Sequence, residues 1–198
     1  MKNCHTFTAL LLFCFLITNL QAQQKDTSSF FYKIMPSTIK IQYAGNIGMF
    51  SAGIGFQTKS KRWKADLFYG IVPSKYADDP IQSITLKGKY ATLYRNYKMT
   101  KTEVNWLNIG MLYNYSFGDN YFLGLPDYYD EGYYYFPTAL NVSVFVGSEV
   151  RVNKWGFYYE IGATDKRVIN YVKNIRSVDF SEIWNLGIGI VYHLKYRD

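Results

Sequence analysis

Residues Ile183–Tyr196 read IWNLGIGIVYHLKY. One parity of this stretch is Trp184, Leu186, Ile188, Ile190, Tyr192, Leu194 and Tyr196; the other is Asn185, Gly187, Gly189, Val191, His193 and Lys195. Seven apolar residues in strict alternation describe a β-strand with one greasy face, because successive side chains of a strand point to opposite sides. Helical spacing would place the apolar residues three and four apart instead.

Working outward, the same period recurs along the chain. Leu140, Val142, Val144, Val146 and Val150 oppose Asn141, Ser143, Gly147, Glu149 and Arg151, with Phe145 on the polar side. Leu107, Ile109, Met111, Tyr113 and Tyr115 oppose Asn108, Gly110 and Asn114. Trp63, Ala65, Leu67, Tyr69 and Ile71 oppose Lys64, Asp66 and Gly70. The pattern predicts eight strands, over 38–46, 48–57, 63–72, 82–95, 103–116, 138–152, 156–164 and 183–196.

An even count suits closure, so the expected fold is all-β, an eight-stranded antiparallel up-and-down transmembrane β-barrel. A soluble sandwich or lipocalin-like barrel would turn its apolar face inward and fill the core with large side chains. Here the polar parity is rich in Gly, Ser and Asn, which suit the narrow interior of an eight-stranded barrel. The apolar parity then faces lipid. Several strands exceed the five or six residues usual in soluble sheets, and aromatic residues gather toward strand ends as in an interfacial girdle.

Composition agrees. The 198 residues include 20 Tyr, 14 Phe and 4 Trp, and 22 Lys+Arg against 15 Asp+Glu give a formal charge of +7. Residues 1–22 read as a secretory signal peptide, with Lys2 and His5 ahead of the apolar run Ala9–Leu20 and a small residue, Ala22, closing the segment. That run of 12 residues is too short for a spanning helix. Both cysteines, Cys4 and Cys14, lie within the leader, so the exported chain has no disulfide or thiolate chemistry. Residues 23–37 form a periplasmic lead and 38–198 the barrel.

Connection lengths also alternate. The links at 58–62, 96–102 and 153–155 are short, and those at 73–81, 117–137 and 165–182 are longer. Outer-membrane barrels have short periplasmic turns and long outer loops. The long links therefore belong outside, with one exception, the tight first outer turn near Asn46-Ile47-Gly48.

This architecture resembles the small OmpA/OmpX-type outer-membrane barrels. The leader ending in Ala-Gln-Gln, the run Tyr43-Ala44-Gly45-Asn46-Ile47-Gly48 and the loop motif Gly124-Leu125-Pro126-Asp127 resemble Bacteroidota outer-membrane β-barrel proteins. Val191-Tyr192-His193-Leu194-Lys195-Tyr196 resembles the alternating terminal signal read by the barrel-insertion machinery. The resemblance implies the cell outer membrane of a Gram-negative bacterium, with lipids including lipopolysaccharide as partners. It assigns no chemistry.

By parity, Lys40, Lys64, Asp66, Lys87, Lys89, Glu149, Arg151, Glu160, His193 and Lys195 face inward. Charges in a narrow interior must be paired or hydrated, so an ion-pair network through Lys64, Asp66, Lys87, Glu149, Arg151 and Glu160 is expected. A proton path or a Glu149–Glu160 acid–base pair is the functional alternative. No catalytic residue, metal or cofactor is expected. Lipid A- or phospholipid-modifying barrels use a Ser–His pair, and His193, alone beyond the leader, falls near the periplasmic end.

The most distinctive stretch is 117–137, FGDNYFLGLPDYYDEGYYYFP, with nine aromatics and four acids. Tyr121, Phe122, Tyr128, Tyr129, Tyr133, Tyr134 and Tyr135 are the candidate contact residues for a protein or glycan at the surface. Packing of these rings as a cap on the barrel is the alternative. Calcium held by the acids is a further one, although their spacing is not that of an EF-hand. Nucleic acid is not an expected partner, since Lys59, Lys61, Arg62, Lys98, Lys101 and Lys154 fall in separate turns, where they meet anionic headgroups.

Overall fold

The structure is a computed structural model that describes residues 35–77, 79–118, 121–122, 138–173 and 179–194. The expected leader 1–22, residues 23–34 of the expected lead, and Lys195 lie outside the described residues.

Nine labelled strands make one closed, all-antiparallel, eight-stranded barrel. They are β1 (Thr38–Ala44), β2 (Phe50–Gln57), β3 (Trp63–Val72), β4 (Ile81–Ala91), β5 (Tyr94–Tyr97), β6 (Thr102–Phe117), β7 (Leu140–Val152), β8 (Trp155–Thr164) and β9 (Trp184–His193). Successive strands pair, except that β4 and β5 both pair with β6, and β9 closes on β1, from Thr38↔His193 to Ala44↔Gly187.

The fourth expected strand, 82–95, is broken into β4 and β5, and both pair with β6. The cause is a bulge. Against β7, Asn105 pairs with Glu149 and Asn108 with Gly147, so Trp106-Leu107 of β6 oppose the single residue Ser148, while Thr92-Leu93 lie on their other side between the pairs Ala91↔Asn108 and Tyr94↔Asn105. There the N–H groups of Thr92 and Leu93 both donate to the Leu107 carbonyl, at 2.9 and 3.4 Å. Such an insertion bends the ribbon and re-aims its side chains, so both Asn105 and Asn108 end up buried.

The segment 165–182, read as a loop, contains a helix. The helix α1 spans Asp165–Lys173 and a 3-10 turn spans Phe180–Ile183. Asp165 opens α1 and Lys173 closes it, each complementing the helix dipole.

Burial follows the sequence alternation in an inverted sense. Outward residues such as Ile41, Leu67, Leu86, Ile109, Val144, Leu186 and Ile190 are exposed, whereas Lys40, Gln42, Asp66, Thr85 and Lys87 are buried. Ring pairs mark both ends of the apolar band. Trp63–Tyr90 and Trp155–Tyr192, each 4.9 Å apart, ring the end with short turns. Tyr43–Phe50, Tyr115–Phe117 and Phe180–Trp184 ring the opposite, loop-bearing end. Trp155 and Ala163, which pairs with Trp184, are eight residues apart on β8. That is about 27 Å of strand, or roughly 20 Å along the axis at the usual barrel tilt.

Candidate functional site

The interior holds two stacked layers. The one nearer the loop-bearing end is apolar: Ile47, Phe68, Leu112 and Phe145 form one buried cluster. Phe68, Leu112 and Phe145 occupy inward positions of β3, β6 and β7. Ile47 comes from the first turn. Ala44, Gly45, Asn46 and Gly48 all take positive φ there, and this left-handed run folds the turn back over the mouth. The Ile47 carbonyl accepts from Ser83 Oγ at 2.9 Å, and the Asn46 carbonyl accepts from Asn114 Nδ2 at 3.2 Å. This connection is short because it enters the barrel instead of rising above it.

Glycines make room for the plug. A Cβ on Gly53 would lie 2.6 Å from Phe68 Cδ1, and one on Gly110 would lie 2.8 Å from Phe145 Cε1. Large rings therefore stand opposite strand positions that have no side chain.

Beneath the plug lies a charged layer. Lys40 Nζ donates to both oxygens of Asp66, at 2.7 and 2.6 Å. Lys64 donates to Glu149 at 2.7 Å, and Lys87 pairs with Glu160. Lys89 stands among Asp66, Glu149 and Glu160 at 3.6, 3.5 and 3.4 Å. Lys87 also donates to Gln42 Oε1 at 2.7 Å, and Tyr158 OH donates to the same oxygen at 3.1 Å. Aromatic faces add to this, with Lys87 Nζ 4.9 Å from the Phe68 ring centre and Lys89 Nζ 5.0 Å from that of Tyr158. Arg151 sits lower, where it shares Glu103 with Lys61.

The six residues of the expected network thus fall inside the barrel, with Arg151 also paired to Glu103, which the expected set lacked. Glu149 and Glu160 are each paired with a lysine of their own and share Lys89. Lys40, Lys89, Gln42 and Tyr158 complete the layer. His193 is buried at the short-turn end, and its backbone N–H donates to the Lys154 carbonyl at 2.7 Å.

No family model matches the chain, and no curated protein or solved structure shows significant similarity to it.

At the loop-bearing rim, Thr138 joins two connections. Its hydroxyl oxygen accepts from the Phe122 N–H at 2.9 Å, and its carbonyl accepts from Lys166 Nζ at 3.2 Å. Partial burial pulls the Lys166 ammonium below its ordinary pKa. The Phe122 carbonyl accepts from the Ala139 N–H at 3.2 Å, so the aromatic segment is pinned at its base. Tyr121 and Phe122 are half-buried there. Tyr128, Tyr129, Tyr133, Tyr134 and Tyr135 lie outside the described residues.

Proposed function

We propose that this chain is an integral outer-membrane β-barrel protein of a Gram-negative envelope. Its role is structural or surface-interacting, it has no open pore, and residues 117–137 supply its contact surface. The observation that carries the reading is the inverted burial: a closed barrel buries lysines and carboxylates while a continuous apolar band is left outside. In water such a band would far exceed the few hundred Å² tolerated on a soluble monomer. In a bilayer it is the solvated state. Closure also satisfies the backbone, which hydrocarbon requires.

The absence of a pore is supported by the filled interior, with an apolar plug above and ion pairs below. A surface role is supported by the pinned base of the aromatic segment and by its many rings, which suit contact with a protein or glycan. Exposed Lys59, Arg62, Lys98, Lys101 and Lys154 on the short-turn side suit anionic headgroups of the inner leaflet.

The test is fractionation with heat-modifiable migration, followed by planar-bilayer recording. The barrel should leave with the outer membrane, shift on boiling and conduct no steady current. Replacing Tyr133, Tyr134 and Tyr135 by Ser should preserve the heat shift and abolish capture of a surface partner. Turnover of labelled lipid A or phospholipid by the purified protein would replace this reading with an enzymatic one.

A further inference from the structure

Helix α1 carries an uncovered apolar face. Val168 and Val172 stand four residues apart on one side of the helix, and Val172 is 69% exposed. Lys166, Asn170 and Lys173 occupy the opposite arc at 100° per residue. The helix packs on β7 and β8, with Lys166 tied to Thr138. The two valines are directed elsewhere.

The apolar face leads somewhere specific. Tyr171 meets Phe180 edge-on at 5.8 Å, and Phe180 meets Trp184 at 5.6 Å. Trp184 begins β9, whose outward side chains continue as Leu186, Ile188 and Ile190, all exposed. The valine face and the ring ladder are thus continuous with the apolar band of the barrel wall. Arg167 Nη1 donates to the Trp184 carbonyl at 3.4 Å, which fixes the start of the helix at the level of the aromatic girdle. Girdle residues sit at headgroup depth in outer-membrane barrels. An amphipathic helix at that level has lipid beside its apolar face.

We propose that α1 is a membrane-interface helix that flanks the barrel. Val168, Val172 and Phe180 enter the headgroup–acyl boundary of the outer leaflet, and exposed Arg167 and Lys173 meet the phosphates of that lipid surface. This rests on the outer-membrane reading above. The occupant is a phosphorylated lipid leaflet because the apolar face runs into the lipid band, and because α1 carries three cations against one acid.

Single spin labels at Val172→Cys, Asn170→Cys and Leu186→Cys test it, each in the full chain with Cys4→Ser and Cys14→Ser. The folded protein is placed in phosphatidylcholine vesicles with or without lipid A. Collision with oxygen against a water-soluble nickel chelate gives label depth. The label at 172 should favour oxygen, the one at 170 nickel, and the one at 186 should lie deepest. Lipid A should move the label at 172 deeper, and Lys173→Gln should reduce that shift. If 172 is as nickel-accessible as 170 while 186 is deep, the helix inference is overturned and the membrane reading stands. If 186 is also nickel-accessible, the membrane reading itself falls. Insertion of 172 that ignores lipid A overturns the assignment of phosphate.

Discussion

Lys64 on β3 and Glu149 on β7 stand three strands apart around the barrel, yet their side chains meet at 2.7 Å across its interior. Both are almost fully buried. Removing one partner of a buried pair leaves a charge in a poor solvent, a loss of about 3–5 kcal/mol. Lys64→Met should fall toward the lower end of that range, because Lys89 remains 3.5 Å from Glu149. Lys64→Met combined with Glu149→Leu should recover much of the loss. Urea unfolding in lipid vesicles measures both, and losses that simply add would show that the pair is uncoupled.

The outward and inward faces can be told apart at adjacent residues. Val144 is exposed and Ser143 beside it is buried. Val144→Arg should destabilise the bilayer-inserted barrel by about 2–4 kcal/mol if the site lies at the midplane, with the effect falling toward either interface. Ser143→Arg should fail through crowding, with little response to lipid thickness. Equal tolerance at both sites in vesicles of different chain length would contradict the inverted arrangement.

On the outer-membrane reading, the unequal connections set the orientation. Lys75, in the link between β3 and β4, and Lys154, in the turn between β7 and β8, lie at opposite ends of the barrel and are both exposed. A membrane-impermeant thiol reagent on intact cells should label Lys75→Cys and leave Lys154→Cys unmodified until the envelope is opened. The reverse pattern would turn the barrel over.

The plug predicts a conditional substitution. Gly110→Ala should destabilise the barrel, since its Cβ would meet both the Phe145 ring and the Gly88 carbonyl, the latter at 2.7 Å. In a Phe145→Ala background, itself about 3–5 kcal/mol less stable, the added cost of Gly110→Ala should shrink but not vanish. A double-mutant cycle on unfolding free energy measures the coupling. Full additivity would place Phe145 away from Gly110.

The strands were legible because alternation reports environment, and the two environments here are opposite in polarity. Charged residues such as Lys64, Asp66, Lys87 and Glu160 declared their side at once. Phe68, Leu112 and Tyr158 share the inward parity, yet as apolar or aromatic residues they carried no sign of burial in a polar interior. Ile47 was unreadable, because a turn has no period and only its run of left-handed residues sends it inward. The break at Thr92-Leu93 depends on the facing bulge at Trp106-Leu107, a tertiary effect. The helix left a faint trace: Asp165 at its start, Lys173 at its end and the Val168–Val172 spacing.

The cross-lumen ties also bear on how the ends of the sheet find each other. Sliding β9 along β1 by two residues would keep every side chain on its proper face, so polarity alone cannot detect the slip. Each residue step is about 3.4 Å, so such a slip moves the neighbouring wall by roughly 7 Å. Lys87 and Glu160 are 73 positions apart in sequence, and Lys64 and Glu149 are 85 apart. A mis-set seam that carried β8 and β7 with it would strand these partners in the interior. The charges thus act as the teeth of a key: the wall accepts any even offset, and the lock turns at one.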